Sequence, residues 1–146
     1  MRQEVYKAIA RKVSDEPFAR MMGLKLISID AGYALVEMNV TPEMANIQGT
    51  SHGGAIFSLI DEAFEVASNS HGTTAVALNM NVTYVAPPLI GTCLRAEASE
   101  VSRTSRTAQY SIIVKDGNNS LIATCQALVY RKKDRLPFLQ DQDGGS

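Results

Sequence analysis

Apolar residues follow two rhythms along the chain, and the change between them marks out its elements. Gln3 to Ser14 places Val5, Ala8, Ile9 and Lys12 at helical spacing, which predicts a short amphipathic helix. Pro17 opens a second short turn through Phe18 to Met22, and Gly23 ends it. Leu24 to Asp30 and Tyr33 to Val40 read as two strands joined tightly at Ala31-Gly32, with Thr41-Pro42 closing the second. The helical rhythm returns from Gly53 to about Ser70. There Ile56, Ile60, Ala63 and Ala67 form one stripe, flanked by Leu59 and Val66 on one side and by Phe57 and Phe64 on the other. A helix apolar over so much of its circumference is expected to be surrounded by sheet. Gly72 ends it. From Thr74 to Val85, Val76, Leu78, Met80, Val82 and Tyr84 alternate with small or polar residues, a strong period of two that Pro87-Pro88 stops. Gly91 to Val101, Thr107 to Lys115 and Ser120 to Arg131 complete the strands, the last two joined by the turn Asp116-Gly117-Asn118-Asn119.

Two strands, one long helix and four strands predict an α+β fold in which an antiparallel sheet wraps the helix. No repeat or linker divides the 146 residues, so residues 1–133 read as one domain with a short N-terminal helix. Residues 134–146 read as a polar tail that frays. Composition narrows the setting. A net charge of -1 argues against a broad basic surface for nucleic acid. No apolar run is long enough to span a bilayer, and the N-terminus lacks the apolar core of a secretion signal, so no membrane partner is expected. Cys93 and Cys125 have neither metal-ligand spacing nor the density of a disulfide scaffold. The expectation is a cytoplasmic protein with no metal.

The chemistry concentrates between Asn46 and Asp61. A polar, glycine-bearing loop runs into the apolar helix, with Ser51 or Thr50 available as N-cap. The first N–H groups of a helix lack internal partners and carry partial positive charge, and without side chains at Gly53 and Gly54 a ligand oxygen can come close to them. Asp61 lies two turns on, beside Phe57 and Phe64, where partial desolvation raises a carboxyl pKa and preserves its basicity or nucleophilicity. An oxyanion donor at Gly53 and a carboxylate at Asp61 suit hydrolysis of a thioester, whose thiolate leaves readily.

Asn46, Gly49, the triplet His52-Gly53-Gly54 and Asp61, together with the strand Asn79-Met80-Asn81-Val82-Thr83-Tyr84 and Pro87, resemble the motif of hotdog-fold acyl-CoA thioesterases of the PaaI-like (phenylacetate-pathway) type. The resemblance spans roughly Phe18 to Arg131. It implies the hotdog fold, hydrolysis of aryl-acetyl- or short- to medium-chain acyl-CoA, and a possible place in phenylacetate degradation. No cofactor is implied beyond the coenzyme A of the substrate. It also implies Asp61 as base or nucleophile, Asn46 orienting that Asp or the water, and His52 supporting the loop and the carbonyl. In some relatives a hydroxyl residue on the strand after the helix helps hold the water; the best-matching position here is Ala77.

Helix geometry adds a claim of its own. Gly53 and Asp61 are separated by a rise of about 12 Å on one helix, whereas a reacting carbonyl must lie about 3 Å from both the oxyanion donor and the attacking atom. The Asp61 that works with Gly53 is therefore expected from a second subunit with its helix antiparallel. That predicts an obligate homodimer, and the resemblance implies pairing of dimers into a homotetramer.

Other residues have plainer readings. Asp61 alone could be a buried carboxylate satisfied by Asn46, and His52 fits a positioning role better than that of a base. Gly54 suits close packing and Gly49 a turn. His71 complements the helix dipole, and Glu62 with Glu65 forms a solvated or interface face. Phe57 and Phe64 are core or acyl-pocket walls. Arg103 and Arg106, or Arg131-Lys132-Lys133, could hold coenzyme A phosphates or simply solubilise the sheet margin. Two rival functions are a hotdog enoyl-thioester hydratase or dehydratase using His52 with Asp61, and a non-catalytic acyl-CoA-binding protein. A DNA-binding sensor is disfavoured, because about 20 residues before the first strand are too few for a helix-turn-helix.

Overall fold

The computed structural model describes residues 2–139. Helices α1 (Arg2–Asp15) and α2 (Pro17–Met22) lead into the hairpin β1 (Lys25–Asp30) and β2 (Tyr33–Asn39). A single 3-10 turn (Pro42–Met44) and a polar loop then deliver the long helix α3 (Gly53–Asn69). After it come β3 (Thr73–Tyr84), β4 (Cys93–Arg103), β5 (Thr107–Asp116) and β6 (Leu121–Arg135). All six strands join one antiparallel sheet in the order β1-β2-β4-β5-β6-β3. The chain leaves β2, passes through α3 and re-enters the sheet at the opposite edge as β3. The helix consequently lies across the sheet and packs against every strand. This is the helix-in-sheet arrangement that the apolar circumference of α3 calls for.

Side-chain volumes explain how the helix is seated. The inner face of the sheet carries small residues at Ala34, Ala96, Ala98 and Ala108, all buried, which lets α3 approach closely. Larger side chains fill the neighbouring positions, with Val36 opposite Ala96 and Ala98 opposite Ile112 across the strands. From the helix, Leu59, Ile60, Ala63 and Ala67 are fully buried against this face. Each large aliphatic side chain so buried contributes about 1.5–3 kcal/mol. At the end of α2, Gly23 takes φ +70°, a left-handed conformation that lets its N–H close the last turn onto Arg20 O at 3.3 Å.

Two expectations change. The last strand extends to Arg135, Leu136 N–H donates to Gly72 O at 3.0 Å, and Leu136 and Leu139 are buried in the core. The polar stretch Arg131 to Arg135 pairs with the start of β3, so the chain does not fray from Asp134; residues 140–146 lie outside the described residues. The second concerns β3. Its period of two is real, but the apolar set divides: Met80 and Val82 pack partly against the core, whereas Leu78 is 57% exposed and Val76 and Tyr84 are also open. β3 is an edge strand, and among the described residues these side chains lack a cover. Among the described residues no helix is long and apolar enough to cross a membrane.

Candidate active site

The loop before α3 is held by Asn46. Its Oδ1 accepts from Gln48 N–H at 2.9 Å and Thr50 N–H at 3.1 Å, while its Nδ2 donates to Thr50 Oγ1 at 3.1 Å and Ser51 O at 3.3 Å. An asparagine in a turn bonds its own following backbone in this way. Gly49, at φ +84°, completes the turn with its N–H on Asn46 O at 3.1 Å. Within the chain Asn46 therefore clasps the loop and does not satisfy Asp61.

The helix start differs from the expected Ser51 or Thr50 cap. Thr50 Oγ1 is engaged by Asn46, and Ser51 is buried with its Oγ on His52 O. His52 is the N-cap: its Nδ1 accepts from Gly54 N–H at 2.9 Å. An accepting Nδ1 places the ring proton of the neutral imidazole on Nε2. His52 O accepts from Ala55 N–H at 3.0 Å and from Ile56 N–H at 3.4 Å. Of the four N–H groups that a helix start leaves orphaned, only that of Gly53 has no partner among the described residues. Gly53 is also fixed from behind, since Tyr84 OH donates to its carbonyl at 3.2 Å. A Cβ at Gly54 would lie 3.1 Å from His52 Nδ1, so this glycine makes room for the cap. A Cβ at Gly53 would meet Tyr84 at an ordinary 3.4 Å.

Eight residues along α3, Asp61 opens onto a cleft of about 560 Å³ that Pro17, Phe18, Phe64 and Ala75 to Ala77 also line. Burial raises the Asp61 carboxyl above its ordinary value, and the nearby Glu16 charge raises it further. Asp61 is open to this cleft, whose walls combine Pro17, Phe18 and Phe64 with the acids Glu16, Glu62 and Glu65, so partial burial and neighbouring negative charge act on it together. Phe64 is buried, edge-on to Tyr110 with ring centroids 5.7 Å apart, and also walls the cleft. Phe57 lies exposed one turn before Asp61.

Glu62 departs most from the sequence reading. It is not on a solvated face but 4% exposed, while Glu65 is exposed as expected. Burial, hydrogen bonding to Glu16 and Glu65, and the charges of both push the Glu62 carboxyl up to about 10. The spacing of Leu59, Glu62 and Val66 already placed position 62 inside the buried arc, a signal available before any coordinates.

The basic residues gather elsewhere. Arg103 hydrogen-bonds His71, whose Nε2 pairs with Glu100 Oε1 at 2.8 Å. His71 thus serves a side-chain network rather than only the helix dipole. Burial pushes Glu100 up, but hydrogen bonds from His71 and Tyr110 outweigh it and leave the carboxyl lowered. Arg103 shares a cavity of about 610 Å³ with Arg2, Arg131 and Arg135, and Arg106 lies in the adjoining turn, where its carbonyl accepts from Arg131 N–H. These residues sit at the C-terminal end of α3, about 24 Å from Gly53 along the 17-residue helix. Within one chain the arginines and the helix start are not brought together. Ala77 lines the Asp61 cleft but offers no hydroxyl.

An apolar helix threaded through an antiparallel sheet, with an unpaired amide at its start and a carboxylate on its flank, is the layout of a hotdog enzyme. The chain belongs to the thioesterase superfamily, whose family model matches residues 48–123, and it is a thioester hydrolase. It is similar to the acyl-coenzyme A thioesterase PaaI of Escherichia coli, at 34% identity over 113 residues covering 77% of this chain and 81% of that protein. The structure of the E. coli PaaI protein from the phenylacetic acid degradation operon matches with a TM-score of 0.87 and 29% identity, over 91% of this chain and 96% of that one. Human acyl-coenzyme A thioesterase 13 is 32% identical over 94 residues, 62% of this chain and 67% of its own length.

Proposed function

We propose that the protein hydrolyses aryl-acetyl- or short- to medium-chain acyl-CoA to the free acid and CoA, at sites shared between two subunits. The observation that carries this reading is the helix start, where the His52 cap and its carbonyl engage the next three amides and leave that of Gly53 free. An amide fixed at a helix N-terminus stabilises an oxyanion at no reorganisation cost. The thioester carbonyl accepts from Gly53 N–H of one subunit. Asp61 of the other subunit then takes a proton from an attacking water or attacks the carbonyl carbon itself. The C–S bond breaks, CoA thiolate departs, and proton uptake completes the thiol. Where Asp61 has attacked directly, water then hydrolyses the mixed anhydride on its carboxylate, releasing the free acid and restoring Asp61. No resident cofactor enters these steps.

The dimer is supported by distance and by surface. Gly53 and Asp61 are about 12 Å apart along α3, and the exposed Leu78 face of the edge strand β3 lies beside the cleft that Ala75 to Ala77 line. An unpaired edge strand with apolar side chains is a template for pairing with another chain. Such a pairing brings a second Asn46 loop and His52 cap toward Asp61, where they position the water and the carbonyl, and pairs of dimers give the tetramer. Arg103, Arg106 and Arg131 are candidates for the CoA phosphates contributed by a neighbouring subunit. Both cysteines are free, in keeping with a reducing cytoplasm. Because the His52 ring is tied into the helix cap, it is poorly placed as the acid–base of a hydratase. Thiol release from phenylacetyl-, butyryl- and octanoyl-CoA tests the reading. Asp61→Asn should lower kcat by about two to four orders of magnitude, the usual contribution of a positioned base or nucleophile. Thiol release undiminished in Asp61→Asn would refute it.

A further inference from the structure

We infer that Glu16, Glu62 and Glu65 form a binding site for a hard divalent cation where the α1–α2 junction meets α3. One carboxylate oxygen from each lies within 4.8 Å of the other two. Glu62 and Glu65, three apart on α3, share a helix face. Glu16 occupies the N-cap position of α2 yet makes no side-chain capping bond, and its carboxylate is directed to the α3 pair instead.

What separates this trio from an ordinary acidic surface is Glu62. It is more than nine-tenths buried, its carboxyl faces the other two, and its Oε2 has no hydrogen-bond partner; Glu16 Oε1 is buried and unpartnered as well. Buried acid oxygens without partners are rare in folded chains and call for an occupant. Among the described residues no basic side chain bonds these oxygens: the cleft is lined by Glu16, Asp61, Glu62 and Glu65 with no Lys, Arg or His. Lys12, in the cavity on the other side of Glu16 and Glu65, has its Nζ over the Phe138 ring.

The donor set selects the chemistry. A cation entering the trio displaces the proton that Glu62 holds without it, and three carboxylates with no nitrogen or sulfur then suit Ca²⁺, Mn²⁺ or Mg²⁺ rather than zinc or copper. Oxygens on opposite sides of such an ion stand about 4–5 Å apart, twice a metal–oxygen bond of roughly 2.1–2.5 Å, so the observed spread accommodates one. The open cleft leaves room for waters to complete the shell. The cation would hold the α1–α2 junction onto α3 and take no step in thioester cleavage, so the inference stands apart from the proposed reaction.

The test uses chelator-stripped full-length protein titrated with Mn²⁺, followed by loss of the free-ion EPR signal and by calorimetry. One site per chain is expected, with a dissociation constant on the order of 0.1 mM, displaced by Ca²⁺ or Mg²⁺ and accompanied by a rise in Tm. Glu62→Gln should weaken binding at least about tenfold and abolish the rise in Tm, because a neutral amide supplies a weaker ligand than a carboxylate. Should Glu62→Gln fail to fold, Glu65→Gln on the exposed side of the trio should give the same loss. Glu43→Gln, on an exposed acid outside the trio, should bind as the parent does. Absence of saturable binding, or binding that survives both Glu62→Gln and Glu65→Gln, would overturn the assignment.

Discussion

Subunit complementation offers a direct measurement of where the two halves of the site reside. Consider one chain carrying Asp61→Asn and another carrying Gly53→Val. In the first, the helix start is intact and the carboxylate is lost. In the second, the valine methyls extend beyond the Cβ position that already stands 3.4 Å from the Tyr84 ring, so they crowd the amide, while Asp61 is untouched. Each parent homodimer has only damaged sites, with residual rates of about 1% or less. In a two-fold dimer with shared sites, the heterodimer pairs the good Gly53 of one chain with the good Asp61 of the other at one site and leaves the second site doubly damaged. A tandem-tagged heterodimer should therefore show about half of wild-type kcat with unchanged KM, and an equal, freely exchanged mixture about a quarter. Thiol release from phenylacetyl-CoA, normalised to protein and to the parents, reads both numbers. A site contained within one chain gives no intact site in either preparation. A purified heterodimer no faster than its parents would refute the shared-site geometry and with it the need for a dimer.

Four further outcomes follow from the local geometry. In chelator-treated protein, activity should rise with pH as Asp61 ionises, on a limb displaced above the ordinary carboxylate range; Glu16→Gln removes the repelling charge and should move that acid limb of kcat/KM to lower pH. Glu62, raised from 4.5 to about 10, keeps its proton in the folded chain between those values, so its contribution is full below about 4.5 and is lost as pH rises through 10. Urea unfolding without divalent ions should show stability falling as pH rises between those values, a decline that Glu62→Gln removes. Gly54→Ala sets a Cβ 3.1 Å from His52 Nδ1 and should cost about 1 kcal/mol by loosening the cap, together with a lower kcat, whereas Gly53→Ala should melt near the parent temperature. Leu78→Lys on the exposed face of β3 should shift the protein toward monomer in light scattering and lower activity in parallel; an intact, active dimer would show that this face is not the seam.

The long helix and the strands were legible because their apolar spacing is regular and their ends carry glycine or proline. The helix cap was not. Serine and threonine are common caps, so Thr50 and Ser51 draw the eye, but Asn46 occupies the threonine and the serine is buried. His52 takes over because Gly54, without a Cβ, lets the imidazole fold back onto the helix amide. The role of Glu62 divides in the same way. Its burial follows from Leu59 and Val66 on either side, yet its company depends on Glu16, which only the packing of the α1–α2 junction on α3 brings near. The grouping of Arg103 with Arg131 likewise needs the register of β4, β5 and β6.

His52 and Asn46 direct their hydrogen bonds into their own loop and helix start, and so they build an amide donor without reaching the carboxylate. Asp61 and its cleft of mixed acidic and apolar walls are built separately, from α2, α3 and the first residues of β3. Each half is well formed within a chain, and the proposed reaction needs one from each of two chains. On the proposed shared-site reading, a single fold that prepares a donor and an acceptor about 12 Å apart, beside an edge strand with open apolar side chains, would have its chemistry completed by symmetry. On that argument substrate choice would depend on the contact between subunits as much as on the residues of one cleft, because in the proposed dimer the neighbour would supply the wall opposite Phe64 and Ala77.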